Sequence, residues 1–328
     1  MSRRVGIDVG GTKAQAVVLG VTGEVIETAQ RPTPRGDHSL EALIEVLFEL
    51  ADEVGHDGSI GVGVPGLVTR GGVLRAAPNL DGVADFAIAE LLTERFGTDV
   101  FVDNDATCAT VAEWLLGAGR STSDMILVTL GTGIGGGIVA NGALTRGHNG
   151  FAGELGHMVI DPSGPLCPCG RRGCWERYAS GSGLAMLARE AATGHRLHHV
   201  VDHAGGDPQA VRGEHVQAAA RNGDDEALAV IDDFSRWVAI GLANLTNALD
   251  PEMFVLGGGL AAGSDLYLEP IRRWFGELLY QPHLRPIPSI EFARLGPLAG
   301  AVGAALLPEL AEHEGRRVSG GSSSPGPG

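Results

Sequence analysis

One short pattern occurs twice in this chain and decides its fold class. The segment Val5–Lys13, "VGIDVGGTK", is an apolar strand that runs into a glycine turn, and Leu127–Gly137, "LVTLGTGIGGG", repeats that arrangement. A second apolar run follows each turn, so each copy predicts a β-hairpin. Aligning Asp8 with Thr129 superposes both strands and both turns. We therefore expect two related α/β domains that face each other across a cleft.

Helical patterns separate these strands and indicate where the domains begin and end. "SLEALIEVLFELADEVG" predicts a helix capped by Ser39. A long helix is predicted to end at Pro251, with one apolar side formed by Leu228, Ile231, Val238, Leu242, Leu245 and Leu249. The small-residue segment "LAGAVGAALLPEL" predicts a last helix. We expect a small domain from residues 1–118 with the helix 298–315, a large domain from residues 119–297, and a disordered Ser/Gly/Pro-rich tail from residues 316–328.

Composition restricts the partners that this protein can have. Its 328 residues suggest two domains, and its net charge of −16 argues against nucleic acid or an anionic membrane as the main partner. Asp8 interrupts the first apolar stretch, and nowhere does an apolar run reach the roughly 18 residues of a membrane span. We expect a cytoplasmic protein whose thiols stay reduced.

Glycine-rich segments suggest phosphate binding, although two familiar motifs fail. "GTGIGG" and "GVGVPG" both fit G-x-G-x-x-G, but no helix begins at either last glycine, as a dinucleotide site requires. "GGTK" lacks the first glycine of a Walker A loop. Successive backbone N–H groups in a glycine turn can still hold a phosphate, with Thr12 and Lys13 adding a hydroxyl and a cation. The alternative is that Gly10 and Gly11 only make a tight hairpin.

The segment "CPCGRRGCWE", Cys167–Glu176, holds three of the four cysteines. A reducing compartment disfavours a disulfide, and no C-x-x-C redox pair is present. C-x-C followed by a third cysteine suits zinc, which needs a fourth ligand, and His157 in "GELGHMVI" is the candidate. The alternative is a set of inert buried thiols. Cys108 is expected to be a small core residue.

Taken in order, "DVGGTK", "VDND", "LGTGIGGG", "GELGH", "CPCGRRGCWE" and "LGGGL" resemble the ROK family of sugar kinases and repressors, and among its members the glucokinases. The resemblance covers Val5 to about Leu310 and implies two actin-like (ribonuclease H-like) domains with mixed sheets. It further implies ATP-dependent phosphorylation of a hexose at its 6-hydroxyl, with glucose as the expected sugar, and His157 as a zinc ligand beside Cys167, Cys169 and Cys174. It implies phosphate binding near both glycine turns and adenosine binding near the last one, at Gly10, Gly11, Thr12, Lys13, Gly131, Thr132, Gly133, Gly257, Gly258 and Gly259.

Phosphoryl transfer needs an acceptor for the hydroxyl proton, and Asp105 is the candidate base. It follows the strand "DVFVDN" at the start of a helix, where it is expected to cap the helix as well and where the helix dipole keeps a carboxylate ionised. Asp8 is expected to position Mg²⁺, through water because Mg²⁺ dehydrates reluctantly.

Sugar recognition needs several polar groups aimed at hydroxyls. Zinc is expected to fix one ring nitrogen of His157 so that the other donates to the sugar. The cysteine loop is expected to orient the acid that follows it. The predicted sugar-binding residues are Asn79, Asn104, Asp105, Glu154, His157 and Glu176.

Other functions remain open at this point. A ROK repressor carries a helix-turn-helix before the first hairpin, and only seven residues precede Asp8, too few for that motif. Asp105 argues against a non-catalytic sugar sensor. Within the kinases, N-acetylhexosamine and fructose are alternative substrates. A homo-oligomer, either a dimer or a tetramer, is expected.

Overall fold

Each half of the chain builds its own five-stranded mixed sheet. The structure is a computed structural model, and it describes residues 3–36, 39–56, 58–77 and 84–320. It divides into unit 1, made of Met1–Leu116, Arg146–Ala152 and Leu298–Gly328, and unit 2, made of Gly117–Thr145 and Gly153–Pro297. The division after Leu116 lies two residues before the expected boundary at 118, and the short segment Arg146–Ala152 joins unit 1.

The sheet of unit 1 has the strand order β3-β2-β1-β4-β7. β1 pairs antiparallel with β2 and parallel with β4, and β4 pairs parallel with β7. The carboxyl ends of β1, β4 and β7 therefore lie along one edge of the sheet, and a separate two-stranded ladder joins β5 and β6. The strands are β1 (Arg4–Val9), β2 (Lys13–Leu19), β3 (Val25–Pro32), β4 (Ile60–Val64), β5 (Leu67–Val68), β6 (Leu74–Ala76) and β7 (Val100–Asn104).

Unit 2 repeats this plan with the strand order β10-β9-β8-β11-β12. β8 pairs antiparallel with β9 and parallel with β11, which in turn pairs parallel with β12. Both predicted hairpins, β1–β2 and β8–β9, are confirmed by these registers. The strands are β8 (Met125–Leu130), β9 (Ile134–Ala140), β10 (Ala143–Leu144), β11 (Met253–Gly257) and β12 (Ser289–Phe292).

Helices cover both sheets, and none in the described part of the chain is both long and apolar enough to cross a bilayer. The last one continues to Gly320, beyond residue 315 where we expected it to end. The helices are α1 (Ser39–Val54), α2 (Ile88–Phe96), α3 (Asp105–Leu115), α4 (Glu176–Ala179), α5 (Gly181–Thr193), α6 (His198–His203), α7 (Gly213–Arg221), α8 (Asp225–Leu249), α9 (Ser264–Leu278) and α10 (Ala299–Gly320).

Helix α10 packs directly against the backbone of the first sheet. A Cβ atom on Gly6 of β1 would lie 2.1 Å from the carbonyl oxygen of Ala301, and one on Gly61 of β4 would lie 1.7 Å from that of Ala304. Only glycine permits so close an approach, because any side chain on the sheet would push the helix away. The C-terminal helix therefore belongs to the core of unit 1, next to strand β1, which carries Asp8.

Helix α8 forms the centre of the core of unit 2. The carboxylate of Asp224 caps it by accepting the N–H of Ala227. Leu228 and Leu249, which we expected on the buried face, are 41% and 46% exposed. The other four residues predicted on the same side are buried, namely Ile231, Val238, Leu242 and Leu245. The prediction is therefore confirmed for the middle of the helix and wrong at its two ends.

Candidate active site and metal centre

The junction of β7 and α3 presents three polar residues in a row. Asn104 is extended and caps the helix, since its Oδ1 accepts the N–H groups of Ala106 at 3.0 Å and Thr107 at 3.1 Å. Our expectation that Asp105 caps α3 was therefore wrong: the residue before the first helical turn takes that role. Asp105 is the first residue of the helix and accepts the Ala106 N–H at 2.8 Å. Its carboxylate lies at the positive end of the helix dipole.

Asp8 ends up beside Asp105 at the carboxyl edge of the sheet. A Cβ atom on Gly63 of β4 would lie 3.3 Å from Asp8 Oδ1 and 3.5 Å from the Cα atom of Asp105. Gly300 at the start of α10 is also in contact, as its Cβ would lie 2.5 Å from Asp8 Cγ. Burial, and then the charge of Asp105, raise the pKa of Asp8 from 3.8 to about 7, while Lys13 opposes the shift.

This pair of carboxylates fits a hydrated cation. Asp8 Oδ1 is buried and accepts no hydrogen bond from the described residues. A buried acceptor without a donor is costly, and a water or a hydrated metal ion would satisfy it. Cys108, fully buried on α3, has its thiol pKa raised by burial and by the nearby carboxylates. It is the core residue that the sequence predicted.

The first glycine turn joins β1 to β2 and is held in place by side chains on the segment that follows β3. The Gly10 N–H donates to the Lys13 carbonyl at 2.9 Å. Thr33 Oγ1 donates to the Gly10 carbonyl and Arg35 to the Gly11 carbonyl, both at 2.7 Å. Gly11, Thr12 and Lys13 are exposed. The turn is thus fixed through its carbonyl groups while its tip faces solvent.

The second glycine turn lines a cavity of about 1120 Å³ in unit 2. The Gly181 N–H at the start of α5 donates to the Gly131 carbonyl at 2.7 Å, and Ser182 Oγ donates to the Thr132 carbonyl at 2.8 Å. Gly259 lines the same cavity, just after Gly258, whose φ is 83°. The structure thereby brings together two of the three glycine turns that the sequence singled out.

Other residues around this cavity escaped the sequence analysis. Ser180 caps α5 by accepting the Gly183 N–H at 3.2 Å, which aims the start of that helix at the glycine turn. The segment "SGSG" after the cysteine block was a readable helix start, but nothing in it indicated which cavity the helix would border. Further lining residues come from helices α4, α5 and α7 and from the residue that precedes α7: Arg177, Arg189, Gln217 and Arg212.

Four side chains cluster as a possible metal site, and they are the four that the sequence predicted. One ligand atom from each of His157, Cys167, Cys169 and Cys174 lies within 4.8 Å of every other. Cys169 Sγ is 3.5 Å from Cys174 Sγ, and Cys167 Sγ is 3.8 Å from His157 Nδ1. A backbone N–H bond from Arg171 is the main cause that lowers the pKa of Cys169 to about 6, which favours the thiolate form that binds metal. Three sulfurs and one imidazole match the donor set of a structural zinc site.

The cysteine loop is anchored to the core of unit 2. Val159 pairs with Cys174 in an isolated bridge, and the Trp175 N–H donates to the Met158 carbonyl at 2.8 Å. These contacts hold the segment after His157 against the end of the loop. Trp175 is fully buried, and its Nε1 donates to the carbonyl of Trp237 on α8 at 2.8 Å. The loop therefore has a fixed orientation.

Two glutamates flank the imidazole of His157 on opposite sides. Nε2 lies 3.8 Å from Glu154 Oε2, and Nδ1 lies 3.6 Å from Glu176 Oε1. Burial is the main cause that raises the pKa of Glu154. Glu176 Oε1 also accepts the Cys167 thiol at 3.0 Å, while its Oε2 lies 2.6 Å from the position of a Cβ on Gly133. Glu176 thus connects the metal cluster to the second glycine turn.

The predicted site residues fall into two groups, one in each unit. Unit 1 brings Asp8, Asn104 and Asp105 together, and unit 2 does so for Glu154, His157 and Glu176. Gly257 ends β11 and Gly258 follows it, and neither belongs to the cavity lining that includes Gly259. Asn79, the remaining predicted sugar-binding residue, lies outside the described residues.

Two related mixed sheets, each opening on a glycine hairpin, define the fold as that of the actin-like ATPases, which confirms the predicted fold class. The chain belongs to the ROK family, whose model matches residues 4–310.

Known proteins of this family align with nearly the whole chain. The chain is 38% identical over 311 residues to a glucokinase of Streptomyces coelicolor, which covers 93% of this chain and 97% of that protein. It is 34% identical over 315 residues to an N-acetyl-D-glucosamine kinase of Pectobacterium atrosepticum, covering 92% and 97%. The crystal structure of a ROK family glucokinase from Streptomyces griseus in complex with glucose and AMPPNP superposes with a TM-score of 0.82 at 37% identity, covering 93% and 98%.

Proposed function

We propose that this protein is an ATP-dependent glucokinase that transfers the γ-phosphoryl group of ATP to the 6-hydroxyl of glucose. The observation that carries the proposal is the meeting of Asp8 and Asp105 at the carboxyl edge of one sheet. This occurs in a chain that is 38% identical to a glucokinase. Phosphoryl transfer relies on positioning and charge stabilisation, and both are available at this edge.

Asp105 acts as the general base in this proposal. The 6-oxygen of glucose attacks the γ-phosphorus, its proton passes to the Asp105 carboxylate, and the bond from the γ-phosphorus to the bridging oxygen of ADP breaks. The N-terminus of α3 favours a negative charge at Asp105, and the Asn104 cap fixes the turn on which it stands. Mg²⁺ neutralises charge on the phosphate oxygens when bound. Asp8 would hold its hydration shell through the carboxylate oxygen that accepts no bond within the protein.

Each unit presents its own candidates for recognising the hydroxyls of glucose. Asn104 and Asn79 belong to one group of candidates, and Glu154, His157 and Glu176 to the other. With His157 Nδ1 on the thiol side, Nε2 is the nitrogen that could donate to a sugar hydroxyl, and Glu154 beside it could accept from one. Carboxylates and imidazole suit sugar hydroxyls because each hydroxyl both donates and accepts a hydrogen bond.

The glycine turn of each unit is a candidate for binding the phosphates of ATP, and the cavity of unit 2 is the candidate for its nucleoside. The turns Gly10–Lys13 and Gly131–Gly133 would bind its phosphates through backbone N–H groups. Adenosine would lie near Gly257–Gly259, where the cavity of about 1120 Å³ is large enough for a nucleotide. Arg177, which lines that cavity, adds a positive charge next to the second turn.

Zinc is the metal we assign to the cluster of His157 with the three cysteines. Bound there, it would supply rigidity rather than reaction chemistry, because the four protein ligands complete a tetrahedral shell. Because His157 is one of the four ligands and Glu176 follows the cysteine loop directly, bound zinc would hold both side chains in fixed directions. A cytoplasmic location and a homo-oligomeric state stay predictions from the sequence.

N-acetylhexosamines are a second candidate class of substrate, because a relative that is 34% identical is an N-acetyl-D-glucosamine kinase. A coupled assay that follows ADP would compare glucose with N-acetylglucosamine, N-acetylmannosamine and fructose, each with ATP and with polyphosphate as donor. We expect glucose with ATP to give the highest kcat/KM. A higher value for an N-acetylhexosamine would reassign the substrate, and no turnover with any sugar would refute the kinase proposal.

A further inference from the structure

Asp103 is a buried acidic residue that the proposed mechanism does not use. It is 6% exposed and lies on β7, directly before Asn104 and Asp105. The parallel registers place Asp8, Gly63 and Asp103 in one row across β1, β4 and β7. The row therefore carries a second carboxylate close to the one expected at the Mg²⁺ site. A buried carboxylate needs partners, because desolvation of its charge is otherwise expensive.

Both oxygens of Asp103 have a defined partner. Oδ1 accepts the N–H of Asn104 at 2.9 Å, and Oδ2 accepts Nε of Arg146 at 2.7 Å. The side chains of the ion pair are 8% and 16% exposed, so solvent screens their attraction little. The first bond fixes the peptide group that precedes the cap of α3, and the second fixes the direction of the carboxylate.

Arg146 reaches this position on a segment that leaves unit 2 for a few residues. Arg146–Ala152 belongs to unit 1, although the chain before and after it belongs to unit 2. Arg70 Nε donates to the Gly147 carbonyl at 2.8 Å, and the backbone of Gly150 packs on the turn after β5, where a Cβ would lie 2.6 Å from the Val68 carbonyl. Gly150 has a φ of 103°, which favours glycine. These contacts hold the segment in unit 1 and place Arg146 beside Asp103.

We propose that Asp103 and Arg146 are positioning residues for Asp105. Their ion pair sets the path of the chain through Asn104 into α3, and so the direction in which the Asp105 carboxylate points. It also neutralises the charge of the Asp103 carboxylate, which lies two strands from Asp8 in the same row. This inference rests on the proposed function of Asp105 as the base. A misplacement of about 1 Å at a reacting group can lower the rate by about 10²-fold. We therefore expect loss of the ion pair to lower kcat rather than to raise KM.

The test compares Arg146→Met, Arg146→Lys and Asp103→Asn with the double variant Asp103→Asn/Arg146→Met, all measured with glucose and ATP well below their melting temperatures. We expect Arg146→Met to lower kcat by about 10²-fold while KM for ATP changes less than about 3-fold. Arg146→Lys keeps the positive charge but loses the planar guanidinium group, so its kcat should lie between those of the wild type and Arg146→Met. The double variant should lose no more than the worse single variant, because the two residues act as one unit.

The matched control is Arg4→Lys. Arg4 makes an ion pair with Glu309 at 3.2 Å within unit 1, with a side chain 19% exposed, but it stands at the opposite end of β1 from Asp8. This variant should lose some melting temperature and keep kcat. Wild-type kcat in a folded Arg146→Met, or additive losses in the double variant, would overturn the inference. An inactive wild-type protein would instead refute the proposed function, so the two failures are distinguishable.

Discussion

Asp8→Asn should stabilise the fold at neutral and alkaline pH while harming activity. Burial and Asp105 raise the pKa of Asp8 from its ordinary 3.8 to about 7. In the unfolded chain Asp8 loses its proton near pH 4, whereas in the fold it keeps the proton up to about pH 7. Between these two values the unfolded state gains free energy by ionising and the folded state does not. The contribution of Asp8 to stability is therefore full below about pH 4 and is lost as the pH rises to about 7.

The magnitude follows from the displacement of this pKa. Because one pH unit corresponds to about 1.4 kcal/mol, ionised Asp8 destabilises the fold by up to about 4 kcal/mol above pH 7. Asparagine cannot ionise, so the difference in unfolding free energy between the variant and the wild type should grow in favour of the variant from pH 4 to pH 7 and then stay level. Carboxylates that do not interact with Asp8 titrate equally in both proteins and cancel in this difference, whereas the Asp8–Asp105 interaction is part of the effect that is measured.

Urea unfolding without Mg²⁺ at several pH values between 4 and 8 measures the effect. The matched control is Asp124→Asn. A backbone N–H from Asn141 lowers the pKa of Asp124 below its ordinary 3.8, so any stability that Asp124 contributes is lost only below about pH 4. The difference between this variant and the wild type should therefore not change between about pH 4 and pH 8. Added Mg²⁺ should stabilise the wild type at pH 8 and the Asp8→Asn variant much less. A difference between the variant and the wild type that does not change with pH would refute the reasoning about buried Asp8.

Two further variants test the chemistry and the metal centre. Asp105→Asn should lower kcat by at least about 10²-fold and leave the Kd for glucose within about 3-fold, as steady-state kinetics and calorimetry would determine; near-normal turnover would remove Asp105 from the mechanism. Cys169→Ser should lose zinc by elemental analysis and raise KM for glucose by about 10- to 100-fold with little change for ATP, because His157 and Glu176 lose their fixed directions. Cys108→Ala is its control and should keep both zinc and KM; a folded, zinc-free Cys169→Ser with a normal KM for glucose would limit the metal to a structural staple.

Local patterns predicted the parts of the fold and site that lie close together along the chain. The two hairpins and the cysteine loop each depend on short stretches of sequence, and the structure contains both hairpins and gathers the four predicted ligand atoms. Residues 157 and 174 come together because the bridge at Val159 closes a local loop. These short stretches fold through contacts between residues that are near one another in the chain, so a local sequence pattern is enough to predict them.

The sequence analysis did not predict contacts between segments that are far apart along the chain. Nothing in the sequence indicates that Arg146 pairs with Asp103, since 43 residues separate them and the arginine is carried by a segment that changes unit. The role of Asn104 as the cap was missed for another reason. Asn and Asp both cap helices well, and only the extended backbone of residue 104 decides between them. Periodicity identified the buried side of α8, but Leu228 and Leu249 stand in its first and last turns, and periodicity does not show how far along a helix the covering contacts extend.

The most direct test of the central claim is the identity of the product. The protein would be incubated with ATP, Mg²⁺ and glucose labelled with ¹³C at carbon 6, and the products would be followed by ¹³C and ³¹P NMR, with Asp105→Asn alongside. We predict equal amounts of ADP and glucose 6-phosphate, seen as coupling between phosphorus and the labelled carbon, and a rate at least about 10²-fold lower for the variant. ADP without a phosphorylated sugar, a phosphate on another carbon, or equal rates for the two proteins would contradict the account.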